Sequence, residues 1–378
     1  MATSHDVARQ AGVSQATVSR AFGDSPKVSA ATRARVRAIA QTLGYRPNVV
    51  ARNLVRGSSR TIALGSLGDG GALPLSRLRL SSFYYFLDVL ATIEREIVAS
   101  GYDILMLSHH AVSPDDFVHE LRTRQVAGAI VIPFEGAADA ELQALAASEI
   151  PAVLIDGHAE GRRISSVLFD HARGMRQATS YLLHLGHRRI AFFGGHSGTL
   201  AGSERQRGWE EALREADVSV EPGLICRTDF SMDEAHQAAL ALLAERRDVT
   251  AIVASSDMMA IGILRALTEY GLRAPDDISL IGFDDIDLCL FTDPPLTTVR
   301  QDGPSLGASV VRQLLALIRE EGLPLAPLVL PTKLVIRNSA CPPSRSASRP
   351  PARWRDAAPA VVPAARVAPA LTEGAEAL

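Results

Sequence analysis

The chain has 378 residues, 47% of them hydrophobic and 21% charged, with a formal net charge of −3. It is too long for one compact domain, its composition is that of an ordinary soluble globular protein, and it carries no run of 18 or more apolar residues that would read as a membrane span. Cys226, Cys289 and Cys341 lie far apart, a spacing that fits neither a disulfide framework nor a zinc site and suits a reducing cytosol.

Charge is distributed unevenly. Residues 1–60 hold ten Lys and Arg against two Asp and Glu, while the remainder holds 29 against 40. A small basic head on an acidic body points to a polyanionic partner at one end only. The opening Met-Ala-Thr-Ser-His-Asp lacks a basic start followed by an apolar run, so no secretory signal is expected and a cytoplasmic location follows.

In chain order, residues 1–46 read as three short helices. Thr3 and Asp6 have the spacing of a capping box, ahead of an apolar stripe through Val7, Ala8 and Ala11 that Gly12 stops. Ser14 can cap a second helix bearing Val18, Ala21 and Phe22. Ser29 can cap a third bearing Val36, Ile39, Ala40 and Leu43, before Gly44 and Pro47 end it. The first two helices and their turn have the helix-turn-helix arrangement, in which the second helix enters the major groove by its N-terminal part. Gln15 and Arg20 would then meet base edges and Ala16 a thymine methyl, while Ser14, Thr17 and Ser19 suit phosphates. A small helical protein-interaction domain has the same local pattern.

Residues 47–60 form an Arg-, Ser- and Gly-rich linker, and residues 66–80 read as a loop. From Thr61 onward short apolar runs alternate with helical segments: 61–65, 103–107, 128–132, 152–156, 189–194, 251–255 and 278–283. That alternation implies βαβ units and an α/β class with doubly wound parallel sheets. Two lobes are expected, the first from about 61–160 and 291–322, the second from about 161–290 and 323–340. Their natural binding place is the crevice at the carboxyl ends of the strands. Residues 341–378, rich in Ala and Pro, read as a disordered tail.

The segment Ala2-Thr-Ser-His-Asp-Val-Ala-Arg-Gln-Ala-Gly-Val-Ser-Gln-Ala-Thr-Val-Ser-Arg resembles the N-terminus of the lactose repressor/galactose repressor (LacI-type) family. The likeness continues through Val28-Ser-Ala-Ala-Thr-Arg-Ala-Arg-Val and Leu43-Gly-Tyr-Arg-Pro-Asn. Further blocks begin at Tyr181, Ser203, Ser255, Ala274 and Pro295 and reach about Asn338. The resemblance implies a DNA-binding transcriptional repressor whose helix-turn-helix head and hinge helix precede a body like the periplasmic sugar-binding proteins. Its implied partners are double-stranded operator DNA, a sugar-like effector and a second copy of the chain. By the same resemblance Leu54 wedges into the minor groove, with Arg52 and Arg56 beside it near phosphates.

Carried onto the body, the resemblance makes Arg205 and Asp284 the effector clamp, with Asp257 a further contact and Ser256, in place of the family's common asparagine, a weaker one. Arg offers fork donors to ring oxygens and Asp accepts from adjacent hydroxyls. Read without the resemblance, Arg205 could be a surface helix arginine and Asp284 a loop cap. Tyr85 and Phe86 could place an aromatic face against a sugar or could join the helix core, and Asp88 lies one turn on. His171 stands where the family usually has asparagine. An enzyme is not expected. Ser197 lacks the second glycine of a nucleophile elbow, no phosphate cradle follows a strand, and no cofactor or metal set is complete.

Overall fold

A computed structural model describes residues 2–22, 27–45, 59–68, 84–107, 115–134, 137, 139–195, 198–321 and 324–343. Arg52, Leu54 and Arg56, and the expected tail from residue 344 onward, lie outside the described residues.

The head consists of α1 (Ser4–Ala11), α2 (Gln15–Phe22) and α3 (Ala30–Thr42). Thr3 caps α1 through the expected box, its hydroxyl accepting from the Asp6 amide while Asp6 accepts from the Thr3 amide at 3.0 Å. Gly12 leaves α1 at φ +61, a left-handed conformation in which a side chain would be strained, and so turns the chain into α2. Ser29 caps α3. Val7, Ala8, Ala11, Val18, Ala21, Val28, Val36 and Ala40 close a small core of their own, with Phe22, Ile39 and Leu43 packed on its edge.

The body holds two six-stranded sheets. The first runs β11 (Leu328–Leu330), β5 (Ile164–Phe169), β4 (Ala152–Ile155), β3 (Gly128–Pro133), β1 (Thr61–Leu67), β2 (Asp103–Met106), all parallel. The second runs β12 (Lys333–Val335), β10 (Thr297–Arg300), β9 (Ser279–Asp284), β8 (Ala251–Ala254), β6 (Ile190–Gly194), β7 (Ile225–Arg227), parallel except for β12. Both faces of each sheet are covered, as parallel sheets require. In β3, Ile130 and Ile132 face α4 (Tyr84–Ala99) and α11 (Gly303–Arg319), whereas Ala129 and Val131 face α5 (Asp116–Thr123) and α6 (Asp139–Ala147). In β8, Val253 faces α7 (His171–Leu185) and α8 (Leu200–Glu215). Ile252 and Ala254 face α9 (Met232–Glu245) and α10 (Asp257–Glu269). Trp209 of α8 is fully buried and stacks on Phe192 at 5.5 Å; a side chain of this kind stabilises by roughly 2–3 kcal/mol on burial.

Three corrections to the sequence reading concern where the chain crosses between lobes. β5 pairs with β4, so the first crossing falls at Asp170 rather than near 160. β10 belongs to the second sheet, so the return crossing is at Gln301–Asp302 rather than 291. β11 rejoins the first sheet and β12 the second, placing the last crossing at Pro331–Thr332 rather than 323. The first and last are stitched together: the Asp170 amide donates to Leu330 O at 2.9 Å and the Thr332 hydroxyl to Asp170 O at 3.2 Å. At the other ends, β1 continues through Ser66 and Leu67, and the body extends to Cys341, whose amide donates to Ser279 Oγ at 3.0 Å.

Candidate functional site

In the head, Ser14, Gln15, Ala16 and Arg20 are exposed and Thr17 and Ser19 half-buried, so the outward face of α2 carries the expected reading residues. Three of them are already engaged. Ser14 caps α2, its oxygen accepting from the Thr17 amide at 3.2 Å, with the Thr17 hydroxyl 2.9 Å away. The Gln15 amide donates to Ser4 Oγ at 2.7 Å, fixing α2 against the start of α1.

In the body, a polar network forms where the two sheets end at the crossings. Asp156 follows β4, His171 opens α7 one residue after the first crossing, Arg205 projects from α8, and Asp284 ends β9. His171 Nε2 lies 2.8 Å from Asp156 Oδ1, and Arg205 Nε and Nη2 each lie 3.3 Å from His171 Nδ1. Arg205 Nη1 donates to Ser255 O and lies 3.7 Å from Asp284 Oδ1. The Arg205 guanidinium carbon sits 4.0 Å from the centre of the Phe283 ring, a cation–π distance, with Phe230 at 5.9 Å. Gln301, on the return crossing, donates to Asp284 Oδ1 at 2.7 Å. Backbone conformations here are unusual: Asp156, Asp284 and Asp285 have φ of +50, +121 and +62. Left-handed acids at strand ends are strained positions of the kind that gather at functional sites.

Burial and charge set the protonation of the acids. Burial alone would raise Asp156, but the His171 imidazole and then the Arg205 guanidinium outweigh it and hold the carboxyl below its ordinary value. Burial pushes Asp284 up to about 8, against the pull of Arg205. The two acids, one after a strand of the first sheet and one ending a strand of the second, thus have opposite tendencies.

Tyr85 lies between the lobes, packing against apolar cores on both sides, with its ring edge-on to Phe86 at 5.4 Å and Phe169 at 6.5 Å. Its hydroxyl is enclosed and has no hydrogen-bond partner. Burial, then Asp156 and Asp284, raise its pKa well above the usual phenol value. Phe86 packs on the first lobe's core, and Asp88 is exposed beside Gly303.

Two further expected contacts are engaged within the second lobe. Asp257 is fully buried, accepting from Thr298 Oγ1 at 2.5 Å and from the Ile286 amide at 3.0 Å, so it braces β10 and the turn after β9. Ser256 is the cap of α10, accepting from the Met259 amide at 3.2 Å. Conversely, Asp156 and Gln301 escaped the sequence reading, and His171 entered it only as a departure. The available signal was an acid closing the apolar run Ala152-Val-Leu-Ile, since ligands bind at carboxyl ends of parallel strands.

Among known families, residues 3–48 match the model described as bacterial regulatory proteins, lacI family, and residues 179–340 match the periplasmic binding protein-like domain. The HTH-type transcriptional repressor CytR of Escherichia coli (strain K12) is 32% identical over 346 residues, 89% of this chain and 96% of that protein. The chain belongs to the lacI family. Among solved structures, a lac repressor dimer bound to operator and the anti-inducer ONPF superposes with a TM-score of 0.76 at 30% identity, over 90% of this chain and 99% of the other. A complex of the transcriptional regulator CelR with cellobiose gives a TM-score of 0.67 at 29% identity, over 90% and 100%. This lacI-family chain is therefore a DNA-binding transcriptional regulator rather than an enzyme, and no helix among the described residues is long and apolar enough to cross a membrane.

Proposed function

We propose that this lacI-family regulator is a dimeric repressor whose grip on its operator is set by a sugar-like effector bound between the lobes. The observation that carries the reading is the Asp156–His171–Arg205–Asp284 network, which joins both sheets at the crossings. Arg205 and Asp284 are the effector clamp, with Tyr85, Phe86 and Asp88 across from them. Ser14, Gln15, Ala16, Thr17, Ser19 and Arg20 contact DNA, with Gln15 releasing Ser4 to reach a base. By the family resemblance, Leu54 wedges into the minor groove flanked by Arg52 and Arg56. The operator-bound lac repressor dimer and the CelR–cellobiose complex support the two halves of the reading.

The mechanism is a linkage. An effector that favours one lobe arrangement shifts the equilibrium only by its differential affinity for the two states, typically ~1–3 kcal/mol. Because the crossings connect both lobes, closing on the effector resets the spacing of the paired heads, which must match two half-sites. The test is to select duplexes from a random pool with the full-length chain and measure operator affinity with and without sugars. Asp284→Ala should blunt the response and leave effector-free affinity nearly intact. Removing residues 1–58 should abolish DNA binding and keep ligand binding. A full-length chain that prefers no duplex at moderate salt sinks the reading.

A further inference from the structure

Resting on the DNA-reading role proposed for α2, we infer that Ser4 is a specificity-determining residue of the head: it holds the Gln15 carboxamide on the protein and yields it only to a base that can bond both of its ends.

The two residues open neighbouring helices, Ser4 as the first residue of α1 and Gln15 as the first of α2. Each backbone is fixed without the bond between them. Thr3 and Asp6 cap α1 reciprocally, and Ser14 Oγ accepts from the Thr17 amide at 3.2 Å at the start of α2. Val7, Ala8, Ala11, Val18 and Ala21 bury the surface where the helices meet. The 2.7 Å bond from Gln15 Nε2 to Ser4 Oγ adds to that packing, and breaking it moves only an exposed side chain. A hydroxyl both donates and accepts, so the pair persists whichever end of the carboxamide faces Ser4.

Arg20, the other polar base reader on this helix, is in the opposite condition. It is exposed and makes no hydrogen bond or ion pair among the described residues. The helix therefore presents one reader that is open and one that is occupied. For the occupied one, the number of bonds a base offers decides the outcome. A base edge that offers a single hydrogen bond exchanges one bond for another and gains little. Adenine offers a donor at N6 and an acceptor at N7, and glutamine can take both at once. Only that exchange leaves a surplus. In a non-specific complex, held through phosphates, Gln15 stays on Ser4. The cost of release falls on operator binding alone, so the Ser4 hydroxyl weakens the specific complex and leaves the non-specific one untouched.

The test is binding of the full-length chain to its selected operator and to a scrambled duplex of equal length. Ser4→Ala should tighten operator binding about two- to tenfold, the worth of one ordinary hydrogen bond, and leave the scrambled duplex unchanged. Ser4→Thr, which keeps a hydroxyl, should bind as the parent does. In a Gln15→Ala background Ser4→Ala should have no effect, because the double-mutant cycle isolates the pair. The operator should carry adenine at the position whose preference Gln15→Ala erases. The inference is overturned if Ser4→Ala weakens operator binding or leaves it unchanged, if it shifts both duplexes equally, if Ser4→Thr tightens as much, if the effect survives without Gln15, or if the base is not adenine. Gln15→Ala that costs neither operator affinity nor base choice is a different failure: it sinks the DNA-reading role of Gln15 itself, whereas the outcomes above, with a normal loss on Gln15→Ala, sink only the part given to Ser4.

Discussion

His171 bridges the two lobes by using both ring nitrogens: Nε2 meets Asp156 at 2.8 Å and Nδ1 meets Arg205 at 3.3 Å. A guanidinium can only donate, so Nδ1 must accept, and the ring proton sits on Nε2 facing the Asp156 carboxylate. Asp156 closes a strand of the first sheet, while His171 and Arg205 belong to helices covering the second. One imidazole therefore ties the lobes together and orients Arg205, the arginine proposed to clamp the effector.

Deleting that imidazole should be felt in the free protein. His171→Ala removes two hydrogen bonds to charged partners and leaves Asp156 buried, a loss of about 2–3 kcal/mol. The expected outcome is a lower urea midpoint for the body together with a weakened effector response. A variant that melts like the parent would show that the ring does not hold the lobes.

Tyr85→Phe should behave in the opposite way. Its hydroxyl is enclosed without a partner, and an unsatisfied buried polar group destabilises by roughly 1–3 kcal/mol. Removing it should leave the ligand-free midpoint unchanged or raise it, while weakening binding of any neutral sugar that bonds the hydroxyl. A clear drop in ligand-free stability would mean that the hydroxyl has a partner in solution.

Much of the fold was legible in the sequence because the apolar runs of β1, β3, β4, β6, β8 and β9 are buried on both faces and read as continuous strands. The lobe boundaries were not. β5 carries Ser165 and Ser166 in its centre and β10 carries Thr297 and Thr298, all buried. Ser165 donates to Gln313 at 2.7 Å and Thr297 accepts from the Arg337 amide at 2.9 Å. Strands that bury serine and threonine do not look apolar, and β11 and β12 have three residues each. The family pattern singles out Arg205, Asp284 and Asp257 alike, and it does not show that Asp257 is fully buried against Thr298 and the Ile286 amide. The approach of Arg205 to His171 also depends on something composition hides. A Cβ on Gly208 would lie 2.2 Å from Ala172 O, so only glycine lets α8 press against the start of α7.

Arg20 stands exposed near the end of α2, the outward side of the reading helix. Arg20→Ala should cost about 1–3 kcal/mol on the selected operator and relax the choice of one base, since an arginine fork reads guanine bidentately. Non-specific binding should fall far less. Competition gel shifts against single-base operator variants measure this, and an unchanged base preference would remove Arg20 from the base-reading set.

Burial raises Asp284 from 3.8 to about 8 and Asp257 to about 6. An acid whose folded pKa exceeds its unfolded value favours the folded state most when protonated, so its contribution is complete below about 4 and is lost as pH climbs through the folded value. Asp156 has the reverse sign, and its contribution disappears only as pH drops below the ordinary carboxylate range. His187, lowered by burial, likewise loses stability on acidification, which partly masks the buried acids between pH 5 and 7. The difference between parent and Asp284→Asn isolates the effect: the parent's urea midpoint should fall relative to the variant's as pH rises from 5 to 8. Parallel profiles over that window would mean that Asp284 is ionised throughout, held by Arg205 more strongly than burial opposes it.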